Sequence, residues 1–175
     1  TRQEYQEIAD RQWRAVKEEY FTSTGRCAVK TQTGLILALK YHLSENEELT
    51  KQMMKKLLRD NKNKLNTGFV GTPLLCNVLT DHGMTDAAYR LLLNEEYPGW
   101  LYEVKLGATT VWERWNSLDE NGHVSSTGMN SLNHYSYGAV LEWIFCHAAG
   151  IDVTEQSPGG RVMRISPKVN RGLGY

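Results

Sequence analysis

The sequence predicts an all-α protein built from antiparallel helical hairpins, with a short β segment at its C-terminus. Apolar residues recur at three- and four-residue steps along several segments, proline and glycine punctuate the segment ends, and the pattern turns to alternation only after residue 150. Residues 1–150 are expected to form one helical body, and residues 151–175 a linker and a strand.

In the first segment Tyr5, Ile8, Ala9, Trp13, Val16 and Tyr20 fall on one helical face, which predicts an amphipathic helix stopping at Thr22-Ser23-Thr24-Gly25. Thr33 to Leu43 is apolar on most sides and reads as an inner helix. A third helix is expected from Asn46 to Asn61, with Leu49, Met53, Leu57 and Leu58 inward and Lys51, Lys55, Lys56 and Arg59 in water. Pro73 suits the first turn of a fourth helix, Leu74 to His82, and Gly83 suits the position after its C-cap. Thr85 to Leu93 is a fifth, ended ahead of Pro98, and a sixth is expected over Tyr135 to Ala149. Beyond it Ser157-Pro158-Gly159-Gly160 reads as a turn or linker, and Arg161 to Ile165 alternates as a strand does.

Composition narrows the function. Twenty basic and twenty acidic residues balance, and the one Lys/Arg-rich stretch, Lys51 to Lys64, lies on a helix, so neither a nucleic-acid nor a membrane partner is indicated. No apolar run approaches the length of a spanning helix, and no N-terminal stretch has signal-peptide character, although a longer parent would carry its signal elsewhere. Cys27, Cys76 and Cys146 are odd in number and lack ligand-like spacing. They read as free thiols, which leans toward an intracellular setting without settling localisation. The five histidines have no helical ligand spacing with one another or with cysteine, so no metal and no cofactor is expected.

The long stretch Glu95 to Asn133 holds the densest chemistry. Residues 107–117 read Gly-Ala-Thr-Thr-Val-Trp-Glu-Arg-Trp-Asn-Ser, a carboxylate between two indoles. Pyranose rings pack their C–H faces on indole, and glycosidic cleavage needs a positioned carboxylate, so Glu113 is a candidate catalyst. The competing interpretation makes Trp112 and Trp115 core anchors three apart on a helix, with Glu113 turned to water beside Arg114. Residues 129–138 supply an amide and an imidazole, although His134 would equally serve at a helix start behind an Asn133 cap. Thr31-Gln32-Thr33 and the segment 67–72 are weaker candidates, more simply caps and turns.

Four segments in order resemble bacterial alpha-L-rhamnosidases: Thr-Gly-Phe-Val-Gly-Thr-Pro at 67–73, Tyr-Pro-Gly-Trp at 97–100, the 107–117 motif, and Asn-His-Tyr-Ser-Tyr-Gly-Ala-Val-Leu-Glu-Trp at 133–143. The resemblance spans nearly the whole chain. It implies half of an (α/α)6 toroid of six hairpins, followed by the first strand of a C-terminal β-sandwich over Arg161 to Tyr175. It also implies inverting hydrolysis of terminal alpha-L-rhamnosides, with Glu113 as general base, His134 hydrogen-bonding the rhamnose, and Trp112 and Trp100 as candidate walls of the pocket.

The family's general acid and its other sugar-binding charged residues lie on the preceding half of the barrel, on a motif not found in this chain. The piece alone is therefore expected to be nearly inert, and to associate with the missing N-terminal half or with itself. Two other classes remain open: a non-catalytic carbohydrate-binding or helical scaffold module, and another helical-toroid glycosidase or polysaccharide lyase.

Overall fold

The computed structural model describes all residues except 127, 154–158, 171, 172, 174 and 175. The Ser157-Pro158 half of the expected turn and the end of the expected tail strand lie outside the described residues. The chain folds as two compact units, Thr1–Lys62 and Asn63–Tyr175.

The first unit holds α1 (Arg2–Tyr20), α2 (Gln32–Lys40) and α3 (Glu47–Asp60). A Thr1–Glu4 capping box opens α1. The sequence predicts one buried face here, yet no residue of α1 is buried, and Trp13 is 40% exposed. Within the unit Trp13 on α1 donates its indole N–H to the His42 carbonyl at 3.4 Å, Lys17 pairs with Glu45, and the Tyr20 carbonyl accepts the Ala28 N–H at 2.8 Å.

Thr31 caps α2 by accepting the Gly34 N–H at 3.0 Å, and Leu35, Ile36, Ala38 and Leu39 are buried. The helix ends at Lys40, earlier than the apolar run suggests, and His42 follows with φ +50. In α3 the Asn46 cap and the end at Asn61 agree with the sequence, but the buried line is Thr50, Met54 and Leu58. Leu49, Met53 and Leu57 flank that line at half burial. Leu58 is buried as expected, and the stripe otherwise runs one residue beyond its predicted place, Thr50 meeting its own hydrogen-bonding need by donating to the Asn46 carbonyl at 3.3 Å. Gly25, in the turn between α1 and α2, has φ +77 and lies against the α3 cap, where an added Cβ would fall 2.9 Å from that of Asn46.

The second unit pairs α4 (Thr72–Asp81) with α5 (Thr85–Leu92), Pro73 lying in the first turn and Gly83 at φ +74 between them. A six-residue helix, α6 (Trp100–Lys105), follows inside the stretch that the sequence left irregular. The expected sixth helix is present but composite: a 3-10 turn at Ser136–Ala139, then α7 (Val140–Trp143), then a π turn at Ile144–Ala148.

Trp143 anchors this unit. It is fully buried, packs edge-on against Tyr89 at 4.9 Å, and donates its indole N–H to Thr80 Oγ1 at 2.8 Å. Strand β1 (Ile151–Val153) pairs antiparallel with β2 (Met163–Ile165), Asp152 opposite Arg164. Gly150 ahead of β1 leaves no room for a side chain, since a Cβ would lie 2.1 Å from the Ser166 carbonyl carbon. Tyr89 further ties the tail to α5 by donating to the Lys168 carbonyl at 2.6 Å. No helix among the described residues is long and apolar enough to cross a membrane.

Candidate active site

The two motifs around Glu113 and His134 run side by side in the second unit. Glu113 N–H donates to the Ser131 carbonyl at 2.9 Å, and His134 N–H donates to the Val111 carbonyl at 2.8 Å. Thr110 Oγ1 donates to the Leu132 carbonyl at 2.5 Å. Arg114 closes the far end, its Nε and Nη2 donating to the carbonyls of Met129 and Gly128 at 3.1 and 3.3 Å. Asn130 Nδ2 reaches the Ser117 carbonyl at 3.1 Å.

The segment 111–117 is a turn rather than a helix. Arg114 N–H donates to Ser117 Oγ at 3.2 Å, and Ser117 N–H donates back to the Arg114 carbonyl at 3.1 Å. Trp112 and Trp115 are both buried, at 2% and 7% exposure, whereas Glu113 between them is only half-buried. Its Oε2 accepts the Ser131 N–H at 2.7 Å. Among the described residues Oε1 takes no hydrogen bond and the carboxylate forms no ion pair, and the neighbouring Arg114 donates to the Met129 and Gly128 carbonyls instead.

An aromatic chain leads from the core to this carboxylate's neighbourhood. Trp100 packs edge-on to Trp115 at 5.3 Å, and Trp115 stacks on Tyr137 at 4.0 Å. Phe69 lies against Tyr137 at 5.4 Å and stacks on His134 at 4.9 Å with ring planes only 8° apart. Phe69 is 46% exposed and His134 half-exposed. The segment 67–72 thus contributes a face as well as a turn: the Thr67 carbonyl accepts the Trp115 indole N–H at 3.3 Å, and the Thr67 and Thr72 hydroxyls bond at 2.8 Å. Thr31-Gln32-Thr33 belongs to the other unit, where Thr31 caps α2.

Of the candidate walls, Trp112 is 2% exposed and Trp100 8% exposed, its Nε1 donating to the Tyr137 carbonyl at 2.9 Å. Both ring systems pack against protein. Glu103 on α6, which nothing in the sequence singles out, is 3% exposed, and its Oε2 faces the Trp112 N–H at 3.4 Å. Burial pushes its carboxyl up to about 7, against a small lowering from the Trp112 N–H. Phe69 and Ser131 fall in the candidate segments 67–72 and 129–138 but were not singled out there, one sitting in a glycine-rich turn and the other acting through its backbone. No group of three or more His, Cys, Asp or Glu suited to a metal occurs among the described residues.

Residues 1–148 match the bacterial alpha-L-rhamnosidase 6 hairpin glycosidase domain. An alpha-L-rhamnosidase of Formosa agariphila is 45% identical over 139 residues, covering 78% of this chain and 15% of that protein. One from an Alteromonas species is 43% identical over 148 residues, 83% of this chain and 16% of that protein. The chain therefore spans 15–16% of the length of these two relatives. The crystal structure of Streptomyces avermitilis alpha-L-rhamnosidase complexed with L-rhamnose superposes with a TM-score of 0.86 at 37% identity, covering 94% of this chain and 16% of that one. Native alpha-L-rhamnosidase from Aspergillus terreus gives 0.87 at 34% identity, with 94% and 19% coverage. The match of the family model over most of the chain, with relatives and solved structures in agreement, means that the chain belongs to the bacterial alpha-L-rhamnosidase six-hairpin glycosidase family.

Proposed function

We propose that this chain carries the general-base side of an inverting alpha-L-rhamnosidase site, with Glu113 as the base and the general acid supplied by the preceding part of the barrel. The observation that carries this reading is the state of Glu113: one carboxylate oxygen is fixed by the Ser131 N–H at 2.7 Å, and the other is unclaimed by the described residues. A base that takes a proton from water needs such an arrangement, one oxygen setting direction and the other open.

In the proposed reaction a water between Glu113 and the anomeric carbon attacks from the face opposite the leaving group. Glu113 takes the water's proton, the new C–O bond forms as the glycosidic bond breaks, and the acid carboxyl protonates the departing oxygen. Two carboxyl groups about 6.5–9.5 Å apart leave room for that water. His134 offers a ring nitrogen to a rhamnose hydroxyl, and the stack on Phe69 holds the imidazole plane. Trp112 and Trp100 act in this reading by packing, since burial withholds their faces from a sugar.

The test is turnover of p-nitrophenyl alpha-L-rhamnoside by this chain and by the longer enzyme that carries it, each beside its Glu113→Gln variant. Activity confined to the longer enzyme and abolished by the substitution supports the reading, and initial release of the beta anomer supports inversion. Full activity of the Glu113→Gln enzyme would leave a binding module, and an ultraviolet-absorbing unsaturated product would point to a lyase.

A further inference from the structure

Among the described residues Glu103 is the only buried carboxyl group, at 3% exposure. A carboxyl removed from water needs a compensating role, and the two sets of bonds that Glu103 makes supply one. Its main-chain carbonyl accepts the Leu106 and Ala108 N–H groups at 3.1 and 3.0 Å, and its side-chain Oε2 faces the Trp112 N–H at 3.4 Å. One residue therefore holds both ends of the segment 108–112, the span that delivers the chain to Glu113. Gly107 makes this span possible, its φ of +83 reversing the chain directly after α6.

The second oxygen, Oε1, is buried with no hydrogen-bond partner among the described residues. A neutral acid tolerates that position far better than a carboxylate does, and burial favours the protonated form. The charges of Glu103 and Glu113 both raise the Tyr137 phenol, after the larger effect of that phenol's burial, so both carboxyls act on one ring.

We propose that Glu103 is a positioning residue for the reaction: by holding both ends of the Ala108–Trp112 segment it sets the direction in which the Glu113 carboxylate projects. The inference rests on Glu113 being the base. It concerns the attack of water and not the capture of sugar, so it acts on kcat and leaves KM alone. The side chain touches no substrate in this role, because it is itself withdrawn from the surface at 3% exposure.

The experiment uses the longer enzyme with p-nitrophenyl alpha-L-rhamnoside, comparing Glu103→Gln, Glu103→Asp and Glu113→Gln by kinetics and by melting temperature. Glu103→Gln keeps an oxygen acceptor at the same reach, and its kcat is expected within about threefold of the parent. Glu103→Asp withdraws the acceptor by one methylene. Its kcat is expected to fall at least about tenfold with KM within about twofold, since small misplacements of a reacting group are costly.

A Glu103→Asp enzyme with unchanged kcat overturns the proposal. So does a Glu103→Gln enzyme that loses about tenfold in kcat, a result readable even where the aspartate variant does not fold. A fall in kcat and rise in KM shared by both variants, tracking a lowered melting temperature, reduces Glu103 to a structural part and also overturns it. Glu113→Gln separates the two levels: its full activity removes the base assignment and this inference with it, whereas its inactivity beside an unimpaired Glu103→Asp removes this inference only.

Discussion

Glu113 and Ser131 exchange two hydrogen bonds, the Glu113 amide to the Ser131 carbonyl at 2.9 Å and the Ser131 amide to the Glu113 carboxylate at 2.7 Å. The second is charge-assisted and ties the side chain to the strand-like partner that already holds its backbone. One carboxylate oxygen is thus held by the main chain of residue 131 and not by that residue's hydroxyl, which bonds to Asn133.

Substitution at Ser131 should separate these contributions. Ser131→Ala keeps the amide and is expected to leave kcat of the longer enzyme within about threefold. Ser131→Pro removes the amide hydrogen, and loss of a hydrogen bond to a charged group, about 1.5–3 kcal/mol, corresponds to a fall of about tenfold to a hundredfold in kcat. Equal kcat for the two variants would show that the amide does not set the base.

The Phe69–His134 stack makes a different prediction, because it orients a group proposed to bind sugar. Stacked aromatic pairs contribute about 0.5–1.5 kcal/mol beyond their buried area. Phe69→Ala should therefore raise KM for the rhamnoside by about threefold to tenfold while kcat changes little, and Phe69→Tyr should restore it. A loss confined to kcat would place Phe69 with the chemistry and not with binding.

Legibility of the fold in the sequence depended on local chemistry. The α4–α5 hairpin could be read because Pro73 and Gly83 mark its ends with backbone preferences that burial does not alter. Helix α6 could not, since six residues are too few for a 3.6-residue period to emerge. The spacing of Trp112 and Trp115 suggested a helical face, yet a turn closed by Arg114 and Ser117 buries both rings equally well. Strand β1 is three residues long and gains its identity only from pairing with β2. Within the candidate site, Glu113 and His134 could be nominated because their motifs carry a resemblance. Glu103 was not, since an isolated glutamate in a loop-like stretch reveals nothing of burial until α6, which carries it, has formed and packed.

Burial of Glu103 predicts a pH-dependent stability. Its folded carboxyl is raised from an ordinary 4.5 to about 7 by desolvation, so between those values the folded chain keeps a proton that the unfolded chain has released. Stability therefore falls as pH rises from about 4.5 to about 7, and this group adds no further slope above that window. At about 1.4 kcal/mol per decade the difference is on the order of 3 kcal/mol. The acid has Trp112 and the phenol of Tyr137 as neighbours, and no cation pairs with it among the described residues. Denaturation midpoints at pH 5 and pH 8 check this: Glu103→Gln should lose less stability between them than the parent, and an equal loss in both would reassign the slope to other groups.

The first unit predicts how the isolated chain behaves. On α1 Tyr5, Ile8 and Trp13 are 74%, 40% and 40% exposed, and no residue of this 19-residue helix is buried. An amphipathic helix of that length gains most of its stability from covering its apolar face, so a face left open favours any partner that can cover it. In the longer enzyme the preceding part of the barrel is the proposed cover. The chain on its own should associate, its mass by light scattering rising with concentration, and Trp13→Glu with Ile8→Glu should return it toward a monomer by putting charge where apolar surface would meet. A chain that stays monomeric across concentrations, with α1 intact by circular dichroism, would show that this face is stable in water and needs no partner.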